Sequence, residues 1–274
     1  MLVGKGTSVD WDELARRLPI RPSTATRLFE LIDDPEASLS QFADVVEIDP
    51  VLSARVLRMA NSAAYATRGG VASATRAVMM LGSSAVQAIT AAAAFPLLSD
   101  GVDLGPDSFW PHAMEVGAAA STVAAELEVG AGEAFTAGLL HDIGAVLLHL
   151  RDPALYATVV RRGGERLLEH ERSAFGTDHP EVGAAAVAKW GFPKSLVEAV
   201  RDHHLPLVGA GKLTKAVAIG EAAVAEAVGL SCHEDSRSLE EVIEECRLWV
   251  KPAQVLRATQ KSFARVSTRL GADT

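Results

Sequence analysis

His141 and Asp142 stand side by side inside FTAGLLHDIGAVLLHL (Phe135 to Leu150), a stretch that is otherwise almost wholly apolar. An ionised Asp in such surroundings is costly unless it is paired, hydrogen-bonded or bound to a cation. Two solutions are open: the rest of the fold supplies hydrogen-bond partners, or the pair holds a metal ion. Candidate companions are His112 upstream and His179, His203, His204 and Glu221 downstream, which would have to converge from separate segments. Imidazoles together with carboxylates suit one or two divalent transition-metal ions, such as iron, manganese, zinc or nickel. His112, His141, Asp142 and a late acid would serve one ion. His179, His203 and His204 would serve a second, with Asp142 bridging. Neighbours on a helix diverge by about 100°, so His141 and Asp142 share an ion only if it sits between their two directions. Each residue also has a plainer reading. His179 would steady a helix start beside Asp178, and His203 and His204 would answer the dipole at a helix C-terminus. His149, His170 and His233 read as capped or solvated side chains.

The elements that must position these residues read as helices throughout. Leu139, Leu140, Ile143, Val146, Leu147 and Leu150 recur at helical spacing, so Phe135 to Leu150 is expected to be one central helix, buried on most sides. Before it, Trp11 to Leu18 and Thr24 to Ile32 carry helical patterns. Ser38 with Gln41 has capping-box spacing, and Asp49-Pro50 opens DPVLSARVLRMANSAAY, with Val51, Leu52, Val56, Leu57 and Met59 facing inward and Arg55 and Arg58 outward. Ser73 is an N-cap for TRAVMMLGSSAVQAITAAAAF, expected as two helices hinged near Gly82 to Ser84. His112 lies near the start of the helix FWPHAMEVGAAASTVAAEL. After the central helix come Pro153 to Arg162, Glu165 to Ala174, a helix opened by a capping box of Asp178 and Glu181, SLVEAVRDHH, and Leu213 to Leu230. Leu239 to Leu270 reads as one or two helices broken near Lys251-Pro252. Alanine runs at Ala91 to Ala94, Ala118 to Ala120 and Ala184 to Ala186 favour close helix packing, and no alternating β-branched run suggests a strand. The expected class is all-α.

Composition narrows the function. With 49% hydrophobic and 22% charged residues, the 274-residue chain has the balance of an ordinary globular protein. A formal net charge of -9 repels nucleic acid and anionic membrane surfaces, so neither is an expected partner. Cys232 and Cys246 form no CxxC pair or disulfide framework, and the N-terminus lacks the apolar run of a secretion signal. The expectation is a cytoplasmic protein.

Several segments together resemble a known family. HDIG within FTAGLLHDIGAVLL is similar to the signature of the HD superfamily of metal-dependent phosphohydrolases. DPVLSARVLRMANSAAY, the ATRAVMMLG element, DHPEVGAAAVAKWGFP and EAVRDHH resemble, in that order, the HDOD branch, in which an extra N-terminal helical half precedes the HD-like half. The resemblance covers roughly Leu18 to Val228. It implies a tail and short helix over 1–17, an HDOD domain over 18–230 (an N-terminal half over 18–105 and an HD-like half over 106–230) and a C-terminal helical extension over 231–274. It also implies a bacterial signalling and regulatory role, generally without catalysis, exerted through a partner protein or a small nucleotide ligand. By position, His112 matches the first HD histidine, His141 and Asp142 match the HD pair, and His179, His203 and His204 match histidines of the related HD-GYP phosphodiesterases. Two departures stand out. The lysine that follows HDIG in the catalytic HD-GYP group is Ala145 here, and the closing aspartate is replaced by Glu221. The alternative function is a metal-dependent phosphodiesterase or phosphohydrolase acting on a nucleotide or cyclic dinucleotide.

Overall fold

In the computed structural model, residues 22–34, 36–61, 70–82, 86, 109–162, 166–190, 192–227 and 237–269 are described. Among them the secondary structure is helical, with no strand. The helices are α1 (Pro22–Asp33), α2 (Leu39–Glu47), α3 (Pro50–Ala60), α4 (Ala74–Leu81), α5 (Phe109–Thr122), α6 (Ala131–Leu140), α7 (Ile143–Arg151), α8 (Pro153–Arg162), α9 (Leu167–Phe175), α10 (His179–Lys189), α11 (Lys194–Asp202), α12 (Lys212–Ala227), α13 (Leu239–Glu245) and α14 (Pro252–Arg269). Their starts follow the capping chemistry of the sequence. Ser38 and Gln41 form a reciprocal capping box, and the Asp49 side chain accepts the Leu52 N–H ahead of Pro50. Asp178 caps α10 by accepting the Glu181 N–H, but Glu181 turns to the Thr177 hydroxyl, so only half of the expected box forms there. The helix expected over Trp11 to Leu18 and the second half of the Ser73 segment lie outside the described residues, apart from Val86.

Small residues set the centre of the bundle. A Cβ on Gly138 would lie 2.7 Å from the Gly117 Cα, and one on Gly220 would lie 2.8 Å from the Val116 carbonyl oxygen. Helices α6 and α12 therefore both approach α5 backbone to backbone, a closeness that larger side chains would prevent. Ala118, Ala119 and Ala120 are completely buried in the same contact. The approach brings the N-terminal turn of α5, the C-terminus of α6 and the middle of α12 to one place. A second tight seam joins α7 to α10, where a Cβ on Gly144 would lie 1.9 Å from the His179 carbonyl oxygen. Helix α11 packs between α10 and α12, while α3 and α4 pack against α6. Helix α14 packs along α5 and, more lightly, α12, so this part of the C-terminal extension covers the bundle.

Two expectations are corrected. Phe135 to Leu150 is not one helix: α6 ends at Leu140, and Asp142, at φ -96° and ψ 13°, precedes α7. At this junction His141 Nε2 and Asp142 Oδ2 lie 3.4 Å apart, so the two adjacent side chains do reach a point between their directions. Met59 does not face the core but is 41% exposed, because it lies opposite the buried Val56, Leu57 and Ala60 side of α3. Ala131–Arg151 is the one stretch among the described residues long and apolar enough to cross a membrane, and 72% of its most apolar window is buried inside the fold.

Candidate metal centre

Five imidazoles and two carboxylates meet where these helix ends converge. His112 comes from the first turn of α5, His141 from the end of α6, Asp142 from the start of α7 and His179 from the first position of α10. His203 and His204 follow α11, and Glu221 lies on α12 directly after the close-approach residue Gly220. The two oxygens of Asp142 divide the cluster. Oδ2 faces the Nε2 atoms of His141 at 3.4 Å and His112 at 3.9 Å, and Glu221 Oε1 lies 2.9 Å and 3.8 Å from the same two nitrogens. Oδ1 faces His179 Nε2 at 3.2 Å and His203 Nε2 at 3.5 Å, while His204 Nε2 lies 3.1 Å from His179 Nε2. Within each of the groups His112, His141, Asp142 and Asp142, His179, His203, His204, one ligand atom per residue lies within 4.8 Å of the others. All seven residues singled out in the sequence are thus brought together, on the two sides of Asp142.

The outer partners of the rings decide what their inner nitrogens can do. His141 Nδ1 lies 2.7 Å from the Gly138 carbonyl oxygen and His203 Nδ1 lies 2.7 Å from that of Val200. A carbonyl only accepts, so each Nδ1 carries the proton and donates, and in a neutral ring Nε2 is left with a lone pair. That lone pair points at a carboxylate oxygen, which is also only an acceptor. Two acceptors at 2.9 Å, as in His141 and Glu221, require a proton or a cation between them. The donor set is therefore one that a divalent metal fits: neutral nitrogens and anionic oxygens directed inward from facing helices, with second partners fixing each ring.

Where protons occupy these gaps, the electrostatics shift accordingly. Burial alone would lower His179, but hydrogen bonds to Asp142 and Glu171 outweigh it and raise its pKa to about 10. His141 is likewise opposed by burial and lifted well above the usual imidazole value by Asp142 and Glu221. Burial would raise both carboxylates, yet the facing imidazoles hold Asp142 and Glu221 well below the usual carboxylate range. Burial, followed by the charge of His203, pushes His204 down to about 3, so it is a neutral ring ready to donate.

One residue of the site escaped sequence reasoning. Glu171, on α9, is completely buried, and its Oε2 accepts from both the backbone N–H and Nδ1 of His179, each at 2.8 Å. It sits in EHERS between His170 and the exposed Arg172, where the pattern reads as a solvated helix face. Its burial is tertiary: α9 packs on α8, and the carboxylate lies between the Tyr156 hydroxyl of α8 and the first residue of α10. Of the remaining histidines, His149 stacks edge-on to Tyr156, His170 is partly exposed on α9, and His233 lies outside the described residues.

An all-helical bundle of HD-like form, with a histidine-aspartate cluster at its centre that could bind a metal, defines the class. The chain belongs to the HDOD family, whose domain model matches residues 18–206. Its fold is similar to that of the MmoQ response regulator of Methylococcus capsulatus str. Bath, with 28% identity, a TM-score of 0.72, and coverage of 87% of this chain and 97% of that one. A virulence factor of Campylobacter jejuni shares the fold alone, with 16% identity, a TM-score of 0.67, and coverage of 95% and 98%. An uncharacterized protein of Treponema pallidum (strain Nichols) is 23% identical over 192 residues, or 68% of this chain, which spans 37% of that relative's length.

Proposed function

We propose that this HDOD chain is a regulatory signal-transduction protein that acts by recognising a partner protein or small ligand rather than by turnover, and that its cluster holds divalent cations on the two sides of Asp142. The metal half of the reading is carried by one observation: inward-facing Nε2 lone pairs, enforced by Nδ1 donors, oppose carboxylate oxygens at distances that need a cation or proton between them. A metal there would join α5, α6, α7, α10, α11 and α12 at one point and so couple ligand binding at the centre to the arrangement of the bundle. The regulatory half draws on family membership and on the likeness to a response regulator. Ala145, half-buried against the core, offers no cation at the position where the catalytic relatives place a lysine to meet substrate phosphate.

A second reading, phosphodiester hydrolysis, is favoured by the five imidazoles and one further carboxylate gathered about Asp142. When bound, a cation pair would supply Lewis acidity and charge stabilisation for attack on phosphorus. The protein's own residues would hold those ions and exclude bulk water from the cluster. Incubating protein purified without nickel and reloaded with manganese, iron or zinc against bis(p-nitrophenyl) phosphate and cyclic dinucleotides separates the two. The proposal expects stoichiometric metal and no turnover. Turnover that disappears in Asp142→Ala would replace it with the hydrolase reading.

A further inference from the structure

Beneath the cluster, α9 carries a carboxylate that is not itself directed at the centre. Glu171 Oε2 accepts the His179 Nδ1–H and backbone N–H, and the Tyr156 hydroxyl donates to Oε1 at 3.4 Å. The helix start does not require it, because Asp178 already caps α10 through the Glu181 N–H at 3.0 Å. A fully buried carboxylate is an expensive way to hold one helix start, and a neutral amide would accept the same bonds. The other two fully enclosed rings, His141 and His203, are oriented by neutral backbone carbonyls. Among the three, only His179 has a carboxylate as the partner of its Nδ1.

Resting on the reading of the cluster as a metal centre, we propose that Glu171 is a positioning residue that sets the cation affinity of the half-site formed by His179, His203, His204 and Asp142 Oδ1. An anion opposite Nδ1–H locks the proton there, turns Nε2 inward and increases its electron density, as carboxylate partners of metal-bound imidazoles do. The opposite half-site, His112, His141, Glu221 and Asp142 Oδ2, has no contact with Glu171 and keeps its affinity when Glu171 changes.

Cobalt(II) titration of metal-free full-length protein, followed by visible absorption and calorimetry, tests this. His204→Ala and His112→Ala assign each binding event to its half-site. Glu171→Gln preserves a hydrogen-bond acceptor without the charge, and is expected to weaken the His204-dependent event by roughly 10- to 100-fold while leaving the His112-dependent event unchanged. Tyr156→Phe, which keeps the carboxylate, should move neither event appreciably. In zinc-loaded wild-type protein, nitrogen NMR should find the His179 proton on Nδ1, a readout that does not depend on a variant folding. Unchanged affinity in Glu171→Gln, equal weakening of both events, an equal loss in Tyr156→Phe, or zinc on His179 Nδ1 would each overturn the inference while leaving the metal centre standing. A wild-type protein that takes up no cobalt would overturn both.

Discussion

Replacing Gly144 with alanine tests whether the seam between α7 and α10 is what assembles the site. The added Cβ would lie 1.9 Å from the His179 carbonyl oxygen, 2.8 Å from its carbon and 2.7 Å from the Gly183 nitrogen, all backbone atoms that no rotamer change can move. Ordinary contact begins near 3.4 Å, so the two helices must part locally by roughly 1.5 Å. Asp142 lies two residues before Gly144, and His179 carries the obstructing carbonyl. The displacement therefore acts almost directly on the 3.2 Å separation of Asp142 Oδ1 from His179 Nε2. Metal–ligand distances tolerate only about 0.2 Å, so the half-site around His179 should lose its cation. Overpacking without a yielding neighbour should also cost about 3 kcal/mol, the upper part of the usual range. Gly183→Ala is the milder comparison in the same seam: its Cβ would lie 2.9 Å from the buried Val200 Cγ1 and 3.2 Å from the Gly144 nitrogen, so it should cost less stability and less metal than Gly144→Ala. Guanidinium unfolding would give the stability and elemental analysis the metal content. Gly144→Ala with wild-type stability and full metal content would show that the α7–α10 seam does not set the site.

Further outcomes follow from the same geometry. Asp142→Asn should empty both half-sites, because one residue supplies an oxygen to each, and elemental analysis showing one retained ion per chain would contradict the bridging role. In metal-free protein the raised His179 contributes stability that is complete below the unfolded value of about 6.5 and is lost as pH climbs through about 10. Cations compete with those protons, so the rise in Tm on adding zinc should grow with pH over the neutral and mildly alkaline range. A flat or falling increment in differential scanning calorimetry would count against it. Leu147→Ala, at a completely buried position on α7, should cost about 2–5 kcal/mol in chemical denaturation; a loss below about 1 kcal/mol would mean that α7 is not in the core.

Much of this was legible in the chain. Helix class, caps at Ser38, Asp49 and Ser73, and the inward stripe of Val51, Leu52, Val56 and Leu57 depend on local chemistry and periodicity, and they appear where those signals put them. The seven polar candidates were visible because imidazoles and acids among apolar helices demand partners. Their division about Asp142 was an arithmetic of donors, and the coordinates supply its geometry. What periodicity could not deliver was the break at His141 and Asp142. The apolar pattern continues across it, so the spacing alone does not distinguish two helices from one. Glu171 was hidden for a related reason: its burial comes from packing of α9 against α8 and the start of α10, and its neighbours Glu169 and Arg172 are those of an exposed face.

Anomalous diffraction from crystals of protein purified without nickel and then equilibrated with manganese or zinc addresses the central claim most directly. Two peaks should flank Asp142, one within bonding distance of His141 and Glu221 and the other of His179, His203 and His204. Fully occupied density for waters alone between those side chains, in crystals grown at saturating metal, would contradict it.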